Sequence, residues 1–568
     1  MLTAIIAFFD SYLRPLQKQA LAATQTAHIL KGIILLPTGV GKTLVEIAII
    51  LIELARKPQG QYGVAVMTAH RLLLCEQLIR GLAKYALKFG LPFDILTVAS
   101  DGIDSEDIAL LDENLKDLNK VCRVNRSTCN AEVLRQYQTS QAIGRHLLVI
   151  ATYNSLDRLN GLPIDIACID EAHTTVELDK HNNLLEILPS MHKVFFFTAT
   201  MVIGCNGRGM DNTAVYGQVL CNVPPILAIN SHDILPPLIM RLFLEEGKHS
   251  EESVIKAAWV KLRAQVLQES RGTLGPKMLV SVAGVGDMVE LLRSSSFHTW
   301  AILNGIKVLG FSSSQGYYVS GLECTRREAI RALQGLTDED SAIIMHYDIL
   351  TEGIDLPTIS GVLPLRELDT VKILQLLGRA ARLSPLDRAA IYGGKSIGTS
   401  VDPQTGVVVA DTTLVKPYYW VILTPQLSDN ASEKDEEIVN TIRTALEIEP
   451  QVRAYQEVST SCTTVEADSI LDDQHKTPAE KKQASYTHIL EAHAFRGMDP
   501  ESQRDLLAEL LDMMDKPVAT EVANGQEEAL HDSPTDTPSV EAVPDKPQER
   551  HPKNARVSPR SILSLLDD

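Results

Sequence analysis

No stretch of about eighteen uncharged apolar residues occurs in this 568-residue sequence, so no membrane-spanning helix is expected. The opening MLTAIIAFFDSYLRPLQ has no basic stretch ahead of its apolar patch, and Asp10 interrupts it, so no signal peptide is expected either. Cysteine is sparse and scattered, at positions 75, 122, 129, 168, 205, 221, 324 and 462, which reads as reduced thiols in a cytoplasmic protein. Cys122 and Cys129, the one close pair, lack a second pair at zinc-like spacing. Positive charge is short as well: 53 Lys and Arg face 72 Asp and Glu, a net charge of −19. A protein that holds nucleic acid by a bulk positive field has the opposite balance. No Ser-His-Asp or Cys-His arrangement stands out, and the only loose match to a nuclease motif, Glu246-Gly247-Lys248, falls in a connector.

The length suits three to four ordinary domains. From 29 to 225, apolar runs (ILKGIILLP, YGVAVMTA, FDILTVAS, HLLVIAT, DIACID, KVFFFTAT) alternate with amphipathic stretches. Each has the length and composition of a strand buried on both faces of a parallel sheet, which makes the fold class α/β. A second series follows the prolines at 236 and 237: KMLVSVAG (277–284), WAILNG (300–305), AIIMHYD (342–348), ISGVLPL (359–365) and YYWVILTP (418–425). The resulting division is a first unit at 1–225 with a helical insertion at about 101–145, and a second unit at 226–430. Turns and a β-hairpin are expected within 391–417. The strand pattern is expected to stop near 430, giving a helical region at 431–515. Residues 516–568 form an acidic tail rich in Pro, Ser and Thr, expected to be disordered.

The strongest local signal is Pro37-Thr38-Gly39-Val40-Gly41-Lys42-Thr43, between the apolar GIILL and the helix-like LVEIAIILIELA. Glycines there let backbone amides turn inward around phosphate oxygens, and the new helix points its positive end at the same anion. Lys42 would reach the β- and γ-phosphates of ATP, and Thr43 would offer a hydroxyl to Mg2+. The loop departs from the usual pattern in lacking the first of its two glycines. Asp170-Glu171-Ala172-His173 ends a strand-like run and supplies two carboxylates, Asp170 for the metal and Glu171 as base for the attacking water. Gln375, Arg379 and Arg382 fall at i, i+4 and i+7 of a helix, on one face that can present cations to the γ-phosphate.

In this order the residues from 11 to about 425 resemble the superfamily 2 helicases and translocases, in the DEAH-bearing branch that includes restriction-type Res subunits and related phage and bacterial helicases. The resemblance implies two tandem RecA-like parallel-sheet domains flanking an ATP–magnesium cleft. It implies that Arg14 and Gln17, within Leu13-Arg14-Pro15-Leu16-Gln17, meet the adenine. Thr68-Ala69-His70-Arg71 and Ala151-Thr152 look like strand-binding motifs, and Thr198-Ala199-Thr200 like the motif that couples nucleotide to strand. Val280-Ser281, the serines 312–314 and Thr351-Glu352-Gly353-Ile354-Asp355 look like the corresponding motifs of the second domain, with Gly353 and Asp355 near the nucleotide. Gln375-Leu376-Leu377-Gly378-Arg379-Ala380-Ala381-Arg382 looks like the final motif, and Gln375 would contact His173. Nucleic acid is then expected at Arg71, Thr152, Ser312 and Thr351.

The expected function is ATP-driven movement on nucleic acid, with single-stranded or branched DNA favoured, in a bacterial or phage-infected cytoplasm. The alternatives are a duplex-tracking motor subunit of a restriction or repair complex and an RNA-dependent ATPase. Binding in such an acidic protein rests on a narrow, locally basic groove, to which Lys120, Arg123, Arg126, Arg135 and Arg145 are candidates to add. The chain end, Ser561 to Asp568, is a candidate docking peptide for a protein partner. Residues 501–568 carry 15 acidic and 7 basic side chains, a net of −8, which leaves −11 for the remaining 500. Deleting residues 516–568 should therefore tighten non-specific DNA binding at low salt, as measured by fluorescence anisotropy across a salt series.

Overall fold

The computed structural model describes residues 1–480 except 27, 70–71, 100–117, 119–121, 245–248, 313–314, 348–355, 357, 367, 393–399, 402–407, 410–413, 425–430, 447–456, 473–475 and 477–478. The proposed tail and docking peptide, the Glu246-Gly247-Lys248 match and Lys120 lie outside the described residues.

The first series of apolar runs forms one sheet. Strands β1 (Lys31–Leu35), β2 (Val64–Ala69), β3 (Phe93–Val98), β4 (Val124–Ser127), β5 (His146–Thr152), β6 (Ile164–Ile169), β7 (Met191–Thr198) and β8 (Gln218–Asn222) lie in the order β4-β3-β5-β2-β6-β7-β1-β8. All neighbours are parallel, so helices must cover both faces. β4 corrects the expectation of a purely helical insertion. Residues 124–127 extend the sheet beside β3, and the helix Asn130–Ala142 follows them. Four polar-rich residues, VNRS, carry too little apolar periodicity to read as a strand; pairing with β3 decides the matter.

The second sheet contains β9 (Pro237–Leu244), β10 (Lys277–Ser281), β11 (Ile306–Ser312), β12 (Gly316–Val319), β13 (Leu322–Cys324), β14 (Ser341–Tyr347), β15 (Gly361–Pro364), β18 (Tyr419–Leu423) and β19 (Glu457–Cys462), in the order β13-β12-β11-β14-β10-β15-β18-β9-β19. The short antiparallel pair β16 (Ser400–Val401) and β17 (Val408–Val409) stands apart, where the hairpin was expected. The expected strand at 300–305 is instead the end of the helix Ser295–Leu303. Ser294 accepts a hydrogen bond from Phe297 N at 3.4 Å and starts that helix, Trp300 packs edge-on to Trp259 at 5.6 Å, and the strand is the next run, β11. The β12–β13 hairpin turns at Ser320 and Gly321, both with positive φ, as a two-residue turn matched to strand twist demands.

Strand structure does not stop near 430. After the helix Ala431–Leu446 the chain adds β19 in parallel to β9, and the helix Thr464–Asp468 then packs on Glu251–Glu269. The fully buried Glu480 accepts from Arg263 Nε and Nη2, each at 3.1 Å, and from Ser341 Oγ at 2.8 Å. Residues 457–472 and Glu480 are thus part of the second unit. One apolar cluster runs from the first sheet into the second through Val223, Ile234, Leu235, Ile373, Leu376 and Leu377. Among the described residues no helix is long and apolar enough to cross a membrane, and all eight cysteines are free.

His146, at the start of β5, is buried, and its Nδ1 accepts from Gly63 N at 2.9 Å. Burial pushes its pKa from 6.5 down to about 4, against the opposing pull of Asp165. Between those two values the unfolded chain binds a proton that the folded chain does not. Its contribution is complete above pH 6.5 and is lost as the pH falls towards 4. Urea unfolding across this window should show the loss, and His146→Gln, which keeps an acceptor for Gly63 but binds no proton, should flatten it by about 3 kcal/mol.

Candidate active site

Sheet register brings three motifs to one edge. β6, β7 and β1 are neighbours, with Ile169 opposite Phe196 and Leu35 opposite Thr198. Their carboxyl ends therefore deliver residues 36–43, 170–173 and 198–200 side by side. The loop after β1 needs its glycines: Gly39 has φ +95° and Gly41 φ +87°. A Cβ on Gly41 would also lie 2.7 Å from Gln17 Nε2. Gly41 caps the helix Lys42–Ala55, whose first unpaired amides face the loop.

Lys42 is buried, with Nζ 3.2 Å from Glu171 Oε1. Burial alone would lower its pKa, but Glu171 and Asp170 outweigh burial and hold it above the usual value, so the ammonium stays charged. Burial would raise the pKa of Glu171; Lys42, then His173, and Arg379 from the second unit hold it below the usual range. Asp170 is pushed up to about 6, by burial and then by Glu171. Glu46, one turn along the helix from Lys42, is fully buried, neither of its oxygens accepts a hydrogen bond, and its pKa is raised well above normal, by burial and then by Asp170. Glu171 has φ 47° and ψ 46°, a left-handed conformation that a non-glycine residue adopts at a cost of about 1–3 kcal/mol.

His173 Nδ1 lies 3.0 Å from Thr198 Oγ1 and 3.5 Å from Glu171 Oε2. The Thr198 hydroxyl donates to Thr200 O at 2.8 Å, so His173 Nδ1 is the donor to Thr198. The three proposed coupling residues of the first unit are therefore one hydrogen-bonded chain. The remaining member, Gln375, is half-buried on the helix Thr370–Ala380.

This donor set fits magnesium and a polyphosphate. Three carboxyls, Glu46, Asp170 and Glu171, face one ammonium, and Asp170 and Glu46 hold raised pKa values, first through burial and then through the neighbouring carboxylate. Asp170 and the Thr43 hydroxyl would hold a hard divalent cation through the oxygen ligands it prefers, and the ion would offset the local negative charge. Thr38, Gly39 and Val40 complete the loop around the phosphate cradle.

The second unit closes directly on this loop. A Cβ built on Gly378 would lie 2.5 Å from Thr38 Cγ2, one on Gly39 3.0 Å from Ile234 Cγ2, and Leu235 N donates to Ala381 O at 2.8 Å. Arg379 is buried on the same helix. Arg382 is lowered to about 10 by burial and then by Arg388, and so remains charged at neutral pH. Arg14 and Gln17, expected at the adenine, hold the loop from one side. Gln17 is 3% exposed, its Nε2 donates to Val40 O at 2.9 Å, and its Oε1 accepts from Arg14 N at 3.0 Å. Arg14 bonds Val40 O and pairs with Asp233, a buried residue between the two sheets that sequence reading did not single out.

The nucleic-acid candidates divide. Thr152 lies at the same sheet edge, opposite Ala69, with its hydroxyl donating to Ser155 Oγ at 3.1 Å. Ser312, expected to face a strand, is 1% exposed and accepts from Gln315 N at 3.3 Å; its place at the buried end of β11 withdraws it. Arg71, Thr351, Gly353 and Asp355 lie outside the described residues. Of the proposed basic surface, Arg123 and Arg145 both bind the fully buried Asp94, whose carboxylate requires cations, and Arg126 and Arg135 remain. Among the described residues no group of three or more His, Cys, Asp and Glu is arranged to hold a metal by itself.

Residues 10–203 match the family described as Type III restriction enzyme, res subunit. No curated protein is recognisably similar in sequence. Among solved structures, the ATP-dependent Type ISP restriction-modification enzyme LlaBIII bound to DNA is similar at TM-score 0.54 and 15% identity, covering 87% of this chain and 35% of that one. This chain therefore spans about a third of that enzyme's length. A single-substitution variant of Dbp5 from S. cerevisiae, bound to RNA and ADP BeF3, is similar at TM-score 0.46 and 13% identity, covering 82% of this chain and 94% of that one. The DEAD-box helicase Mss116 bound to ssRNA and UDP-BeF follows at TM-score 0.44 and 14%, covering 88% and 86%. At these identities the likeness is one of fold.

Gly378→Ala tests the contact between loop and helix. The added methyl pushes the helix off Thr38, so ATP turnover should fall at least about tenfold while nucleotide affinity changes less than about threefold. Steady-state hydrolysis and fluorescent-nucleotide titration measure the two.

Proposed function

We propose that this chain is an ATP-hydrolysing helicase of superfamily 2 and couples Mg-ATP hydrolysis to movement along DNA. The observation that carries the reading is the closure of the Arg379 helix on the phosphate loop, which places a buried cation where it lowers the pKa of Glu171 across the cleft. Lys42 and the loop amides bind the β- and γ-phosphates. Thr43 and Asp170 hold Mg2+, which when bound offsets phosphate charge. Glu171, kept ionised by Lys42, takes the proton of the attacking water. Arg379 and Arg382 stabilise charge on the γ-phosphate from the second unit. Because those arginines and the loop belong to units built on different sheets, binding and release of nucleotide closes and opens the cleft. His173, Thr198 and Thr200 relay that change to the strand-facing edge at Thr152, with Gln375 closing on His173, and Arg71 and Thr351 adding strand contacts.

DNA is favoured over RNA by the family match over residues 10–203, which also favours duplex tracking as a second reading. ATPase activity measured with single-stranded, duplex and branched DNA and with RNA separates these. DNA should stimulate most; stronger stimulation by RNA overturns the substrate, and tracking without strand separation selects the duplex motor. Lys42→Ala and Arg379→Ala should abolish turnover. Glu171→Gln should lower kcat by about 10²–10⁴-fold with nucleotide binding retained, and wild-type turnover in it would remove Glu171 as the base.

A further inference from the structure

Beyond the groups already placed around the nucleotide, the end of the arginine helix is held by an unusual device. Three successive carbonyls follow Arg379, at Ala380, Ala381 and Arg382, and at a helix end such groups have no partner within the helix. Ala381 O accepts from Leu235 N. The other two are both taken by one side chain: Lys416 Nζ donates to Ala380 O at 2.6 Å and to Arg382 O at 2.9 Å. Lys416 is 4% exposed and comes from the segment just before β18, more than thirty positions along the chain.

Lys416 is itself fixed. Asp387, 2% exposed and in the first turn of the helix Pro385–Tyr392, accepts from Val415 N at 2.7 Å and Lys416 N at 2.9 Å. The Ser384 hydroxyl donates to Asp387 Oδ2 at 2.8 Å and accepts from Asp387 N at 3.0 Å. The charged groups acting on Lys416 are Asp387 and Asp338, which favour its ammonium form, and Lys277 and Arg382, which oppose it; burial brings its pKa down to about 7. A cation at a helix carboxyl end is favourable by the helix dipole and offsets part of that burial.

We propose that Lys416, locked by Asp387, is a positioning residue for hydrolysis. Its ammonium pins the carbonyls on either side of Ala381 and so fixes the direction from which Arg379 and Arg382 enter the cleft. A methylene chain at this site removes the hydrogen bonds to Ala380 O, which is buried, and to Arg382 O, and lets the helix end rotate. The inference rests on the assignment of Arg379 and Arg382 as γ-phosphate ligands.

The test is a double-mutant cycle on the full chain with DNA-stimulated ATPase, fluorescent-nucleotide binding and thermal melting as readouts. Lys416→Met should lower kcat about tenfold or more, with nucleotide affinity changed less than about threefold. Asp387→Asn, which keeps the side chain's shape, should act in the same direction by a smaller factor and serves where Lys416→Met does not fold. In the Arg379→Lys background, which weakens but keeps the cation, either change should cost much less than in wild type, because both act through one group. Equal fold-losses in both backgrounds, or losses confined to affinity or melting temperature, overturn the positioning role. Loss of DNA-stimulated turnover in the wild type overturns the underlying assignment instead, and undiminished turnover in Arg379→Ala does the same.

Discussion

The architecture turns on a contact with no side chain on one side of it: Gly378 lies against Thr38 with no room for a methyl group. Everything catalytic is arranged around that point. The phosphate loop is shaped by its own left-handed glycines, and Arg14 and Gln17 hold it through carbonyl oxygens from one side. The helix that touches it carries Arg379 at the next position. In the proposed reading, a site divided between two units is competent only when such a contact forms, which would tie hydrolysis to the relative position of the units.

Charge is distributed in the same spirit. The chain is strongly acidic, yet its buried carboxylates are matched to local cations: Asp94 to Arg123 and Arg145, Asp233 to Arg14, Glu480 to Arg263. Around Lys42 the match is left incomplete, with Glu46 and Asp170 both resisting ionisation. Low dielectric makes that imbalance strong, and in the proposed reading it would draw a divalent cation to the site without any wider negative patch.

Much of this was legible in the sequence, for identifiable reasons. Runs such as KVFFFTAT and HLLVIAT have an uninterrupted apolar stretch at their centre, which suits a strand covered on both faces, and they became β7 and β5. Glycines at 39 and 41 ahead of Lys42 announce the loop because only glycine takes those φ values cheaply. What escaped was what depends on distant partners. β4 is polar and owes its existence to β3; the run at 300–305 has strand composition, but the Ser294 cap and the contact with Trp259 make it helical. Asp233 and Lys416 belong to no local pattern, and their roles exist only once the second sheet is folded beside the first. Ser312 failed for the opposite reason, since a serine looks exposed in sequence and is buried by its place in β11.

The parallel pairing of β19 with β9 joins positions 218 residues apart, Glu457 with Ile239. On a ribosome the first sheet is complete in sequence once β8 at 218–222 has emerged, whereas the second must wait for residues 457–462, with β9 an unpaired edge on that side until they arrive. Closing so long a loop is slow, and an open strand edge is a template for association with other chains. Synthesis therefore runs through an interval in which a finished nucleotide-binding half is tethered to an unfinished partner. The acidic chain that follows emerges only after that interval closes.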